Sequence, residues 1–396
     1  MSSNVGVRLP PEIILIIAEQ LWSLAEWDEN GDALMARQRR MKSFCLVSHE
    51  WYTAGIALLY LCPELRTKDS FDKFVETVSQ SNDANHMNID FGSMVYVLRL
   101  GRLHDIADDQ FERLLSRLHA NLISLEAPPT SFSLKGPAVL SMCKNLEQVD
   151  LSLLTDTRWS KNRSMFPDIK QAISGLPKLV SVSLPLEIRM HDADQSLGDW
   201  PCSLQSIKIG GALDPTVMRK LQWPSHPFKL TIRHCRSLRT TTLEGIFDNE
   251  NIHDHLTRLY IDHTNNIMFD DAPTGILYSL RNLVHLRVPL DFAQDFIMLP
   301  FSDHPLPIRV LELTEPYSGQ VLKEFTQLLF RALDSCLRNT LALGICELPS
   351  NLWNGQVSSL SSKLRRRVQG SPQTDLSSIE RLGLYALDEP RPVPTQ

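Results

Sequence analysis

The sequence predicts an α/β chain in two parts: a short all-helical unit at the N-terminus, then a long array of parallel strands separated by helices or irregular segments. Three observations carry that reading. Apolar residues near the start fall at helical spacing behind a pair of prolines, leucine supplies 61 of 396 residues, and one short apolar pattern recurs at a nearly constant interval. Composition bounds the possibilities further. Hydrophobic residues at 43 % against 22 % charged suit a folded chain with room for two or three domains, not global disorder. Lys and Arg number 40 against 46 Asp and Glu, a net charge of −6, so non-specific binding to nucleic acid or an anionic membrane has no electrostatic drive. The longest near-continuous apolar run, Ile13 to Ala18, is far short of a membrane span. No basic segment precedes an apolar one at the start, so no secretory signal is expected. Seven cysteines without a Cys-x-x-Cys pair suit reduced thiols in an intracellular compartment.

The helical unit comes first. In Leu9-Pro10-Pro11-Glu12 the prolines fix φ for a first turn and Glu12 suits the positive end of the helix dipole. Ile13, Ile16, Ile17 and Leu21 then form one stripe, while Ile14 and Leu15 lie partly off it, so this helix needs partners on two sides. Asp28 to Asp32 is a polar break, and Arg37, Arg39, Arg40 and Lys42 after it read as a solvated loop and helix face. A second helix is expected from about Ser43, with Phe44, Leu46, Val47 and Trp51 apolar, and a third carries Ile56, Leu58, Leu59 and Tyr60. Three short helices make a marginal core alone, and a unit with surplus apolar surface completes itself against another chain.

These residues resemble a known motif. Leu9 to Leu21, followed by Leu46-Val47-Ser48-His49-Glu50-Trp51-Tyr52 and Leu59-Tyr60, is similar to the F-box, in the form common in fungal proteins. Ser48 stands where many members carry cysteine, and Trp22 to Lys42 is longer than the usual spacer. The resemblance implies a three-helix fold over residues 1–66 that docks on a Skp-family adaptor and, through it, a cullin–RING ubiquitin ligase. It assigns adaptor binding to Leu9, Pro10, Ile13, Ile16, Ile17, Val47 and Trp51.

Residues 67–92 read as a connecting helix, with Phe71, Phe74, Val75 and Val78 at helical spacing, and a polar linker. From residue 93 the pattern apolar-x-x-apolar-x-apolar sets in, with middle positions at 98, 125, 149, 182, 207, 230, 259, 286 and 311. All but one of the intervals lie within the 20–29 residues of leucine-rich repeats, so residues 93–388 are expected to form a solenoid. Its parallel strands would line the concave face, and helices or irregular segments the convex face. Phe111, Leu114, Leu115, Leu118 and Leu122, and later Val321 to Leu333, follow strands at helical spacing. Period two buries Leu98 and Leu100 and turns Arg99 outward; the equivalent outward residues include Glu126, Asp150, Ser183, Lys208, Tyr260, Arg287 and Glu312. Of these, Arg99, Lys208, Tyr260, Arg287 and Glu312 are the candidates for contact with a protein substrate. Asn265 is a near match to the family's post-strand asparagine. Leu337, Leu341 and Leu343 give an imperfect repeat, Ile379-x-x-Leu382-x-Leu384 restarts it, and residues 389–396 are a proline-rich tail.

The motifs of enzymes are missing: there is no phosphate loop, no Gly-x-Ser-x-Gly and no His-Glu-x-x-His. His253-x-His255 has no evident third ligand, and His234-Cys235, adjacent in a strand, would face opposite ways. Lys363 to Arg367 reads as a solvated basic insertion, and Trp159, Trp200, Trp223 and Trp353 as loop anchors. The expectation is a non-enzymatic receptor with no catalytic residues, metal or cofactor, inside the cell in cytoplasm or nucleus. Its helices would bind the adaptor and its strand face an unidentified protein substrate, with no nucleic acid and no membrane. The alternative is a scaffold in an adaptor-containing complex outside ubiquitination.

Overall fold

The structure is a computed structural model and describes residues 9–23, 32–80, 90–104, 106–129, 136–154, 166–186, 199–235, 237–262, 264–265, 267–268, 279–290, 308–314, 345–348, 362 and 383–386. The chain divides into two compact units, residues 1–158 with 171–179 and residues 159–170 with 180–396.

The first unit opens with α1 (Pro11–Ser23), whose first turn is closed by Ile13 and Ile14 N–H groups donating to Pro10 O at 3.0 and 3.2 Å. Helix α2 (Asp32–Cys45) and α3 (His49–Leu61) follow. The break between them falls at Leu46–Ser48, not before Ser43, so the basic run lies within α2 and Trp51 shares α3 with Tyr60. Ser48 explains the break: its backbone is extended (φ −162°, ψ 173°) and its hydroxyl faces the Trp51 N–H, which makes it an N-cap. Ile14, Ala18, Met41, Phe44 and Cys45 form the shared core of the three helices, and Trp22, Trp51 and Leu58 pack against it. Gly55 lets α3 press onto α2, because a Cβ there would sit 2.7 Å from the Phe44 ring. Arg37 departs from the solvated reading: it is buried, with its guanidinium 4.8 Å from the centroid of Trp22.

Helix α4 (Lys68–Gln80) starts at a reciprocal cap, Thr67 N–H to Ser70 Oγ at 3.1 Å and Ser70 N–H to Thr67 Oγ1 at 3.2 Å. Its buried face is Phe71, Phe74 and Val78. Strands β1 (Val97–Arg99), β2 (Ser124–Glu126) and β3 (Gln148–Asp150) are parallel and in register, with Leu98, Leu125 and Val149 aligned and buried. Helix α5 (Asp108–Leu118) and α6 (Gly136–Met142) connect them, and α5 buries Phe111, Leu114, Leu115 and Leu118 as their spacing predicts. Helix α7 (Phe166–Ser174) follows β3 in the chain.

The second unit holds β4 (Ser181–Ser183), β5 (Ser206–Gly210), α8 (Pro215–Lys220), β6 (Phe228–Arg233), β7 (Leu238–Arg239), α9 (Thr240–Phe247), α10 (Glu250–His255), β8 (Leu256–Ile261), β9 (Ile267–Met268), β10 (His285–Pro289), β11 (Val310–Thr314), β12 (Ile345–Leu348) and β13 (Gly383–Ala386). Strands β4, β5, β6, β8, β10, β11, β12 and β13 are neighbours in that order, and each described pairing is parallel. Val182, Ile207, Leu230, Leu259, Leu286 and Leu311, the predicted middle positions, are mutual register partners, and the row continues through Cys346 to Leu384. The strand beside β11 is β12, a strand that the repeat pattern does not foretell, and Leu337, Leu341 and Leu343 lie outside the described residues. The β7–β9 pair is a separate small parallel sheet that the repeat pattern does not foretell.

Asn265 fills the role expected of a repeat asparagine. It is fully buried, accepts the Cys235 N–H at 3.0 Å, and donates at 2.8 Å to both Ile232 O and Asp262 O. His234 and Cys235 therefore sit in a turn, not a strand, with His234 in the left-handed region at φ 55°. His253 and His255 are likewise on a helix, α10, where residues two apart diverge. Trp200 and Trp223 are buried anchors whose indole N–H groups donate to Gln222 O and Met218 O. Trp159, Trp353, Lys363 to Arg367, Val321 to Leu333 and the 389–396 tail lie outside the described residues. Among the described residues no helix is long and apolar enough to cross a membrane.

Candidate interaction surfaces

Two surfaces stand out, one in each unit. The first is apolar. Six of the nine large hydrophobic side chains exposed among the described residues belong to the first fifty positions: Leu9, Ile13, Leu15, Ile16, Leu46 and Val47. Helix α1 explains how this arises. Ile14 and Ala18, one turn apart, point into the helical core, so the residues on either side of that line are turned out. The inward stripe is thus Ile14–Ala18, not the Ile13–Ile16 line, and Ile16 stays 51 % exposed. Leu46 and Val47, in the non-helical break ahead of the Ser48 cap, are 76 % and 60 % exposed. An apolar side chain left in water forgoes about 1.5–3 kcal/mol of burial free energy, so a group of them at two neighbouring chain segments is a surface that gains from being covered.

The candidate adaptor residues divide into two sets. Leu9, Pro10, Ile13, Ile16 and Val47 are exposed. Ile17 and Trp51 are half-buried, and Trp51 packs on Phe44 with ring centroids 4.6 Å apart, so these two hold the helices together as well. Sequence reasoning passed over Leu15 and Leu46. Leu15 adjoins the exposed Ile16, and Leu46 adjoins Val47 in the break that the Ser48 cap of α3 foretells. Beside these helices lies an open groove of about 520 Å³. It is bounded by Arg39 and Lys42 of α2, Tyr60 of α3, and Lys73 and Phe74 of α4.

The second surface is polar and belongs to the strands of the second unit. Ser183, Lys208, Thr231, Tyr260, Arg287 and Glu312 are successive register partners, one residue on from the buried row. The structure therefore aligns Lys208, Tyr260, Arg287 and Glu312 as the period-two argument requires. Lys229, Arg258 and His285 form the adjoining row on the same face. Tyr260 is the hub. The Lys229 ammonium sits 3.7 Å from its ring centroid, the Arg287 guanidinium 5.8 Å, and the His285 ring meets it edge-on at 4.9 Å. Glu312 is nearly buried and pairs with His285 Nε2 at 2.7 Å and Arg287 at 3.6 Å. With Nε2–H directed at that carboxylate, Nδ1 is the acceptor for the Tyr260 hydroxyl at 3.3 Å. Burial and then the neighbouring Lys208 and Arg258 hold the Lys229 amine below the usual lysine range.

Arg99, the remaining candidate, is in the first unit, where its row partners are Glu126 and Asp150. Glu126 titrates above the ordinary carboxylate range, first because it is buried and second because Asp150 repels its charge. Among the described residues no group of three or more His, Cys, Asp or Glu is placed to hold a metal ion.

No protein-family model matches the chain. A curated protein of Saccharomyces cerevisiae, F-box protein YDR306C, is 24 % identical over 323 residues, which cover 79 % of this chain and 63 % of that protein. The match thus spans less than two thirds of the relative's own length. A chain in the crystal structure of a yeast Rad7 and Elc1 complex overlaps 87 % of this chain and 90 % of its own length, at 12 % identity and a TM-score of 0.38. The chain resembles F-box proteins, as the name of this relative has it.

Proposed function

We propose that this chain is the substrate-recognition subunit of a Skp–cullin–F-box ubiquitin ligase. Residues 1–66 act as a three-helix F-box on a Skp-family adaptor, 67–92 connect, 93–388 form a leucine-rich-repeat solenoid that holds a protein client on its strand face, and 389–396 are a tail. The observation that carries this reading is the concentration of exposed apolar side chains on α1 and the α2–α3 break. Leu9, Pro10, Ile13, Ile16 and Val47 would be covered by the adaptor, while Ile17 and Trp51 brace the helices beneath. The F-box name of the yeast relative supports the same docking role. No residue of the chain carries out chemistry in this scheme. Catalysis comes from holding a client lysine near a charged ubiquitin conjugate, in the cytoplasm or nucleus, where effective concentration replaces collision.

Co-expression of the full chain with a Skp-family adaptor tests the reading. Ile13→Asp and Ile16→Asp each place a charge on a side chain that is already in water, so circular dichroism stays that of the parent while adaptor co-purification is lost. A cullin is expected in the parent eluate. Adaptor retained by both variants would overturn the proposal. Trp51→Ala is the weaker probe, since losing the contact with Phe44 loosens the helices themselves.

A further inference from the structure

The strand face of the second unit carries an excess of positive charge that the net charge of the chain conceals. Its two outward rows contain four cations, Lys208, Lys229, Arg258 and Arg287, against two carboxylates, Glu312 and, next in register on β12, Glu347. The four cations lie within electrostatic reach of one another, as Lys229 shows: Lys208, Arg258 and Arg287 all oppose its charge and only Glu312 favours it. Glu312 offsets only part of that charge. Nearly buried and turned to His285 as well as Arg287, it holds the guanidinium in place beside Tyr260 instead of standing in solvent.

Like charges on adjacent strands destabilise a sheet by a few tenths of a kcal/mol to about 1 kcal/mol per pair, so clustering them is a cost that folding alone does not repay. A face with crowded cations around an aromatic ring already used as a cation platform is complementary to an extended chain of carboxylates.

We infer that this face binds an acidic, Asp- and Glu-rich peptide segment of the client, laid across Lys208, Lys229, Arg258 and Arg287 and centred on Tyr260. The inference deepens the substrate-receptor reading and rests on it for the word client. A nucleic acid would bring the same sign of charge, but the chain as a whole is at −6 and would repel a long polyanion that extends beyond the face, whereas a short acidic segment meets only the cationic rows.

The test uses the full chain bound to its adaptor and a fluorescein-labelled poly-glutamate peptide, with fluorescence anisotropy as readout. The peptide binds, and binding weakens as salt is raised. Arg258→Glu and Lys208→Glu together weaken it at least about tenfold, since each reversal turns an attraction into a repulsion. Glu312→Gln removes the opposing charge and tightens it. Adaptor co-purification is unchanged in all of these variants. Peptide binding that is absent or indifferent to both changes overturns the inference while leaving the adaptor reading intact; so does tighter binding of a single-stranded RNA oligonucleotide than of the peptide. Loss of the adaptor with peptide binding kept would instead break the functional proposal and spare the cationic face.

Discussion

The N-terminal helices and the strands of the second unit handle apolar residues in opposite ways. In the strands nearly every apolar side chain goes inward: Ile207, Leu230, Leu259, Leu286 and Leu311 are buried in one register row, and the residues that alternate with them are polar except Val310. In α1 the sequence is apolar around more than one face, and only Ile14 and Ala18 are fully enclosed. Strands stacked in parallel bury one another, so each repeat needs only its neighbours. Three short helices enclose too little volume to do the same, and the remainder, Ile13, Leu15, Ile16, Leu46 and Val47, is left exposed. Surplus apolar surface marks the first unit; surplus charge marks the strand face of the second.

That contrast breaks most sharply at buried positions. Leu259→Ala in β8 and Ile14→Ala in α1 each remove a side chain at or below 1 % exposure. Each is expected to cost about 2–5 kcal/mol, read as a fall in the denaturation midpoint in urea. Leu259→Ala should leave adaptor capture unaffected, and Ile14→Ala should reduce it by loosening the helices that present Ile13 and Ile16. If Leu259→Ala also released the adaptor, the two regions would not be independent in the way proposed.

How much of this was legible from sequence depends on the range of the interaction. The strand register was, because period two and a repeat interval in the twenties are local signals, and Leu98, Leu125 and the later middle positions all fall where that spacing put them. Strand β12 was not, because Cys346 replaces the expected leucine and Leu341 and Leu343 mimic the pattern a few residues early. In the helices the motif residues were legible and their orientation was not. Whether Ile13 or Ile14 faces inward depends on where α2 and α3 lie, and helix boundaries there turn on one hydroxyl, Ser48. The charge cluster was legible only in fragments: Lys208 and Arg287 came from the alternation, but Lys229 and Arg258 joined them once the register across β6 and β8 was known.

A middle-sized effect is expected at Asn265, which ties the turn after β6 to the turn after β8. Asn265→Ala strands the buried Cys235 N–H and leaves the Ile232 and Asp262 carbonyls with their backbone donors alone. The cost should be about 1–3 kcal/mol, visible as faster amide exchange at Cys235 before any change elsewhere. Protection at Cys235 that is the same as in the parent would mean that the turn holds itself without the amide.

The smallest effect sharpens the contrast most. Ile16→Ser acts two residues from Ile14, on the same helix and with a similar loss of volume, yet its side chain is half exposed and makes no part of the helical core. Its stability change should stay within about 0.5 kcal/mol, measured in the same urea titration as Ile14→Ala. Serine and isoleucine have about the same helix propensity, so that term adds little to the change. A loss above about 2 kcal/mol would show that Ile16 is packed within the chain, and with that the apolar surface available to an adaptor would shrink to Leu9, Ile13, Leu15 and the α2–α3 break.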